Sequence, residues 1–212
     1  MFQEIERRDP ALLSDKPSEA SARLKELRKR AGRADRQIQD GLPLLHSQMV
    51  IGIWSVLEAA IDDFVVAWLI HVPGSLDADD FSKIRVPATI FEQMDKAGRM
   101  QFVLDEYKRQ LRSDSKSGVE RFESLLKPLG LSGKVTDDVR KDIFELSHIR
   151  NAILHRASRA DQRLLDACPW LALKVGERLI VTSASSDRFA RSVTNYLKAV
   201  IDRVRHVPDA VT

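Results

Sequence analysis

Residues 50–68, VIGIWSVLEAAIDDFVVAW, carry the strongest pattern in this chain of 212 residues. Apolar side chains recur there at alternating spacings of four and three, which places them along one face of a helix. These side chains are Val50, Trp54, Leu57, Ile61, Phe64 and Trp68. The pattern predicts a long buried helix that ends before Pro73-Gly74. Three acidic residues within the stretch argue against a membrane span and favour a helix of a soluble protein.

Helical patterns continue on both sides of this stretch, so we predict an all-α fold, a bundle of about five to six helices. The charged segment after Ser18 is expected to be a solvated helix or a packing arm, and the final helix is expected to carry its apolar side chains every three or four residues. The predicted helices that follow the long one cover about 89–111, 120–127, 137–157 and 186–204.

One β element is also predicted, a small hairpin before the last helix. Leu171, Leu173 and Val175 alternate with smaller or polar residues, and the alternation resumes after Gly176-Glu177. Glycine as the first residue of a two-residue turn suits a hairpin connection.

Length and composition indicate one globular domain. A chain of this size buries enough surface for a stable core, and we expect a polar extension over 1–17, a single domain over 18–207 and a tail over 208–212. The first nine residues mix both charge signs and the single Cys168 has no partner for a disulfide, which favours the cytoplasm. The formal charge of +3 permits a polyanionic partner without requiring one.

Several kinds of enzyme site have no support in the sequence. The nine glycines form neither a P-loop, nor a dinucleotide-binding fingerprint, nor the turn that carries a hydrolase serine. The five histidines never occur as HxxxH or HExxH, so we expect neither a metal nor a cofactor. Cys168 precedes a proline in an apolar context, which is typical of an inert buried thiol.

One polar cluster stands out in residues 148–156, HIRNAILHR. His148, Asn151 and His155 follow Phe144 at spacings of four, three and four, so all share a stripe on one helix. Arg150 lies five residues before His155, about 140° away around an ideal helix. One helix therefore does not point both groups at the same atom, whereas a two-fold contact brings Arg150 of one chain to His155 of another.

The string from Arg150 to His155, RNAILH, resembles the R-x4-H signature of the HEPN superfamily (higher eukaryotes and prokaryotes nucleotide-binding). In that family a polar residue, often Asn, follows the Arg. A long apolar helix with an acidic residue, here Glu58, comes early, and the resemblance extends loosely over about 44–204. Many members are metal-independent endoribonucleases that act as dimers, while others are non-catalytic or are toxins of toxin–antitoxin pairs. The tyrosine that many toxins carry two residues after the His is replaced here by Ala157.

The resemblance implies a homodimeric endoribonuclease that cleaves RNA to a 2′,3′-cyclic phosphate. His155 transfers protons, with the copies in the two subunits as base and acid, and Arg150 grips the phosphate. Asn151 orients the ribose or phosphate. The expected supporting residues are Glu58, Arg156 and His148, and the expected contacts to the RNA backbone are Arg159 and Arg163.

Simpler roles stay open for each of these residues. Arg150 and His155 are also ordinary surface cations near a helix C-terminus, where the helix dipole favours them. Glu58 and Asp62, four residues apart, also fit a solvated acidic stripe or partners for arginines. The alternatives for the whole chain are a non-catalytic RNA-binding, nucleotide-binding or scaffold protein, and a toxin silenced by a separate antitoxin or regulatory protein.

Overall fold

The computed structural model describes residues 17–111 and 116–205, and these residues are predominantly helical. Short 3-10 turns occur at Ser75–Asp77, Lys127–Leu129 and Pro169–Leu171. The α-helices are α1 (Pro17–Gln39), α2 (Pro43–His71), α3 (Asp79–Ser82), α4 (Ala88–Glu92), α5 (Lys96–Leu111), α6 (Val119–Leu126), α7 (Asp137–His155), α8 (Gln162–Ala167) and α9 (Ser183–Val204). The predicted all-α class is confirmed.

The chain divides into two compact units with the boundary between Leu44 and Leu45. In the first unit α1 is rich in charged residues, and Arg30 pairs with Glu26 one turn away at 3.3 Å. The single domain over 18–207 stays a prediction. Residues 1–16 and 206–212 lie outside the described residues, and with them nearly all of the predicted extension and tail.

The apolar face of α2 forms the centre of the second unit. Val50, Leu57 and Ile61 are fully buried, as the spacing predicts. Val65 is fully buried in place of the predicted Phe64, which packs half-buried at the edge of the core. Over the described residues, no helix combines the length and the apolar character that a membrane crossing requires.

The first half of α7 is fixed to α9 by partly buried ion pairs. Arg188 of α9 pairs with Asp142 and also with Glu145, at 2.5 Å for the second pair. Ser192 donates to Asp142 at 2.6 Å, and the indole N–H of Trp170 donates to Glu145 at 2.6 Å. Since Glu145 is 2% exposed, these donors replace the water that its carboxylate gives up.

A second buried carboxylate fixes α9 to the region around α6. Glu123 accepts hydrogen bonds from the Tyr196 hydroxyl at 2.9 Å and from the backbone N–H of Gly133 at 2.7 Å. Arg203 completes the cluster with a 2.9 Å contact. Burial and the neighbouring Glu123 carboxylate raise the pKa of Tyr196, so this hydroxyl stays a donor at neutral pH.

The predicted β-hairpin is wrong, because the described residues contain no strand, only one isolated bridge between Arg159 and Arg178. The first predicted strand is interrupted by the 3-10 turn at Pro169–Leu171 and by the left-handed Ala172, with φ 51°. Proline starts such a turn readily because its φ is already fixed and it has no N–H to satisfy.

The segment after Gly176 pairs with the turn that follows α7. Leu179 donates to the carbonyl of Ser158 at 2.8 Å, and Ala160 donates to the carbonyl of Glu177 at 2.9 Å. Leu179 and Val181 are buried, so the alternation that predicts a strand reflects the packing of an irregular segment on the core. The alternation thus predicts the burial of Leu179 and Val181 correctly, whereas Val175 is exposed and the predicted strand pairing is absent from the described residues.

The predicted helix over 89–111 is two helices, α4 and α5. They separate because Asp95 caps the second, its side chain accepting from the N–H of Gly98 at 2.7 Å. The next helix, α6, begins after Gly118, whose φ of 60° and ψ of −137° suit glycine alone. A Cβ at Gly118 would lie 2.8 Å from the Cα of Phe144, so glycine permits the close approach of α6 to α7.

Candidate functional site

The second half of α7 borders two separate grooves. The first, here called the His155 groove, has a volume of about 290 Å³. The second, the Arg150 groove, has a volume of about 680 Å³ and is bordered by α2, α5, α6 and α7. Arg150 and His155 thus line different grooves of one chain, as expected from their separation of about 140° around the helix.

The His155 groove brings together most of the residues predicted from the sequence. Its polar lining is His148, Asn151, His155, Arg156, Asp161 and Arg163. Ala152 and Leu164 form its apolar part. The groove therefore combines two imidazoles, an amide and two guanidinium groups with a single carboxylate.

His148 is half-buried in this groove and packs on Phe144, with 4.5 Å between the ring centroids. Burial lowers its pKa, the Arg163 cation lowers it further, and the Asp161 carboxylate opposes both. Its buried Nε2 atom has no hydrogen-bond partner among the described residues. His148 is therefore a neutral imidazole at pH 7 with one ring nitrogen unsatisfied.

His155 is exposed at the last residue of α7, and the chain turns sharply after it. Ala157 and Ser158 both have positive φ, at 50° and 58°, which is uncommon for residues with a side chain. The N–H of Ser158 donates to the carbonyl of Ala152 at 3.2 Å and closes the turn. This turn leads the chain into α8, and Asp161, which precedes this helix, and Arg163 within it both line the groove.

Asp161 connects the turn to α8. Its side chain caps the helix by accepting from the N–H of Leu164 at 2.9 Å, and Arg156 pairs with it at 3.0 Å. The backbone hydrogen bond and then Arg156 lower the pKa of Asp161. The Asp161 carboxylate partly neutralises the charge of Arg156. Arg156 therefore has a structural role in this turn in addition to the supporting role predicted for it.

Of the two arginines predicted to hold the RNA backbone, only one lines the His155 groove. Arg163 lines the His155 groove and is exposed. Arg159 donates to the carbonyl of Gly176 at 2.9 Å and is not among the residues that border the groove. The structure therefore brings Arg163 to His155 and directs Arg159 to the neighbouring turn.

Arg150 and Glu58, both predicted site residues, line the Arg150 groove. Glu58 pairs with Arg121 at 2.9 Å, and Arg150 donates to the Asn151 side chain at 3.1 Å. The Nε atom of Arg150 is buried without a hydrogen-bond partner among the described residues. A role for Glu58 in orienting Arg150 or His155 stays a prediction.

Sequence reasoning missed the cations that α5, α6 and the loop before α6 add to the Arg150 groove. These are Lys108, Arg109, Lys116 and Arg121. Each is unremarkable in its own stretch of sequence, and only the packing of α5 and α6 beside α7 assembles them. Lys108 also pairs with Asp62, whose pKa is raised by burial despite that contact.

Cys168 lies apart from both grooves and is fully buried, as predicted. Burial raises the pKa of its thiol to about 12, which keeps it protonated and unreactive. Within 17–111 and 116–205, no three His, Cys, Asp or Glu side chains cluster in a way that suits a metal ion.

Comparison with known proteins adds no relative: no family model matches the chain, and neither a curated protein nor a solved structure is similar to it. The resemblance to the HEPN superfamily therefore depends on the motif in α7 and on the order of the helices.

Proposed function

We propose that this protein is a metal-independent endoribonuclease that cleaves RNA at the His155 groove. The observation that carries the proposal is the composition of that groove, where an exposed imidazole lies with a second, neutral imidazole, an amide and Arg163. Together these groups supply a proton acceptor, a proton donor and positive charge for a phosphodiester.

In the proposed reaction the 2′-hydroxyl of the substrate attacks the adjacent phosphorus. A neutral imidazole takes the hydroxyl proton, the bond from phosphorus to the 5′-oxygen breaks, and a protonated imidazole gives a proton to that oxygen. The products are a 2′,3′-cyclic phosphate and a 5′-hydroxyl. His155 fills one proton role, and guanidinium groups neutralise the crowded phosphate in the transition state.

We further propose that Arg150 reaches this site from a second copy of the chain. Within one chain it lines the other groove, so its contribution to a phosphate at His155 requires a two-fold contact. A homodimer also supplies a second His155, as the family resemblance implies. Light scattering of the active protein tests this arrangement, since cleavage by a monomer contradicts it.

The cleavage assay uses single-stranded RNA in the presence of EDTA. We expect His155→Ala to lower the rate by about 10²- to 10⁴-fold, the range for loss of a general acid or base. The matched control is His71→Ala, because His71 is also an exposed histidine at the last residue of a helix. Products that end in a 2′,3′-cyclic phosphate support the mechanism.

Two results would contradict the proposal. One is an unchanged rate in both His155→Ala and Arg150→Ala, and the other is activity that EDTA abolishes. RNA binding without cleavage by the parent protein indicates the non-catalytic alternative. Growth arrest on expression that disappears with His155→Ala supports a toxin, and the antitoxin is then sought as a separate protein.

A further inference from the structure

The lining of the Arg150 groove suits a long polyanion. Five cationic side chains face two carboxylates, Glu58 and Asp105. The cations are Lys108, Arg109, Lys116, Arg121 and Arg150. The lining thus has an excess of three positive charges, in a volume typical of ligand sites.

Not all of this charge is balanced by neighbouring carboxylates. Lys108 pairs with Asp62, Arg121 pairs with Glu58, and Arg109 pairs with Glu106 beside the groove. Arg150 has no carboxylate partner among the described residues, and its buried Nε–H has no acceptor there. A buried donor without an acceptor is costly, so an anion that supplies an oxygen is favoured at this point.

No aromatic side chain lines the groove within the described part of the chain. Base recognition in single strands relies largely on stacking against aromatic rings, whereas phosphates are held by Lys and Arg. The lining therefore fits the backbone of a nucleic acid better than the base of a free nucleotide.

The two grooves are joined across α7. Asn151 lines the His155 groove and accepts the hydrogen bond from Arg150 at 3.1 Å, so one side-chain contact links the two linings. A helix with its side chains is only about 10–12 Å across. A strand that crosses α7 at this contact therefore carries phosphates into both grooves.

We propose that the Arg150 groove is a second RNA-backbone subsite, in which its four other cations hold the flanking phosphates of a single strand whose scissile phosphate lies in the His155 groove, while Arg150 contacts the scissile phosphate bound to the second copy. The position of the scissile phosphate in this proposal rests on the proposed function. Its sequence-independent binding is a separate property that is measured without cleavage.

The test measures binding of a fluorescent single strand of about twelve nucleotides, a length within the range of single-strand sites. All its 2′-hydroxyls are methylated so that it cannot be cleaved. The variant is the double substitution Arg109→Ala with Lys116→Ala, which removes two cations of the groove lining. We expect the slope of log affinity against log salt to become shallower by about 1.4, because each lost phosphate contact in a single strand contributes about 0.7.

The matched control is Lys83→Ala with Arg85→Ala, which removes the same charge from exposed positions away from both grooves. The control is expected to keep the parent slope. Equal slopes in the two double variants overturn the proposal, because the effect is then one of net charge. Displacement of the strand by an equal concentration of ATP also overturns it, because the groove then prefers a free nucleotide.

These readouts separate the subsite from the catalytic proposal. If the parent protein cleaves no RNA but the groove variant alone changes the slope, the catalytic proposal fails and the binding subsite stands. If the parent cleaves RNA and both double variants bind with the parent slope, the subsite fails and the catalytic proposal stands.

Discussion

The two halves of α7 use polar side chains in opposite ways. In the first half, the buried carboxylate of Glu145 and the partly buried carboxylate of Asp142 are engaged by α9 and Trp170. In the second half, His148 keeps an unsatisfied ring nitrogen and His155 is exposed at a groove. One continuous helix thus has a half that holds the fold together and a half whose polar groups line two grooves.

The difference shows how burial assigns roles to similar residues. A buried carboxylate persists only where donors replace its water, so it becomes specific to one partner arrangement. A polar group at a groove has no such fixed partner and can bind and release a substrate. Mutations in the first half should therefore affect folding, and those in the second half should affect ligands.

The largest effect is expected from Glu145→Ala. The substitution leaves the indole N–H of Trp170 without its acceptor and Arg188 with only one carboxylate. We expect the free energy of unfolding to fall by about 4 kcal/mol, measured by urea denaturation. Glu145→Gln keeps the shape and one acceptor and should lose less, while the exposed Asp63→Ala should change stability by less than about 0.5 kcal/mol.

A slightly smaller loss is expected from Gly118→Ala, at the point where α6 meets the middle of α7. The substitution imposes a strained backbone and brings a Cβ against Phe144. We expect a loss of about 3 kcal/mol in the free energy of unfolding.

Gly52→Ala is the matched control for that substitution. Gly52 lies inside α2, and a Cβ there meets nothing within 4 Å. It should stabilise the protein by about 0.5–1 kcal/mol, because alanine favours the helix and restricts the unfolded chain. Equal losses in the two alanine variants would show that close packing on Phe144 is not the cause.

The pKa of His148 connects the second half of α7 to stability. Because folding lowers this pKa below its usual 6.5, the unfolded state binds more protons, and stability falls as pH decreases from 6.5 through the folded pKa. His148→Gln should make the decline in stability between pH 7.5 and 5.5 smaller, as measured by urea denaturation across about that range.

The neighbours of His148 allow a sharper test by NMR titration. Arg163→Ala should raise the pKa of His148, because the Arg163 cation disfavours the protonated ring. Arg191→Ala, an exposed arginine on α9, should leave it unchanged. If the pKa of His148 is the same in Arg163→Ala as in the parent protein, the two side chains are not close in the His155 groove.

The smallest effect on stability is expected from His155→Ala. Its side chain is exposed and makes no hydrogen bond among the described residues, so the free energy of unfolding should change by less than about 0.5 kcal/mol. The same variant is expected to lose RNA cleavage. A large loss of stability in His155→Ala would contradict the difference in role between the two halves of α7.

Local pattern predicted the helices where burial has a clear period. The face of α2 is buried nearly as its spacing indicates, with Val65 in place of Phe64 because the stripe drifts around a long helix. The pattern failed over 171–181, where Val175 is exposed and the buried Leu179 and Val181 belong to an irregular segment that pairs with the turn after α7. Alternation matches burial only where the segment meets the core, and it does not identify the backbone that lies alongside.

The spacing of residues in the sequence predicted only part of the candidate site. His148, Asn151 and His155 share a groove because their spacing follows the helix, and the same geometry separates Arg150 from them. Arg163 was named from its proximity in sequence, and the structure does place it in that groove. Lys116 and Arg121 have no such link to the motif, so only folding shows that they border the same groove as Arg150.

The sequence by itself determined the all-α class, the buried face of α2 and the stripe of polar side chains on α7, because these follow from the period of one helix. The tertiary structure decided that α5 and α6 supply cations beside Arg150, that the turn after α7 brings Arg163 to His155, and that α9 neutralises Asp142 and Glu145. The physical reason is the distance along the chain over which each kind of interaction acts. A helical period relates residues within a few turns, whereas charges far apart in the chain interact only after the core has packed their helices together.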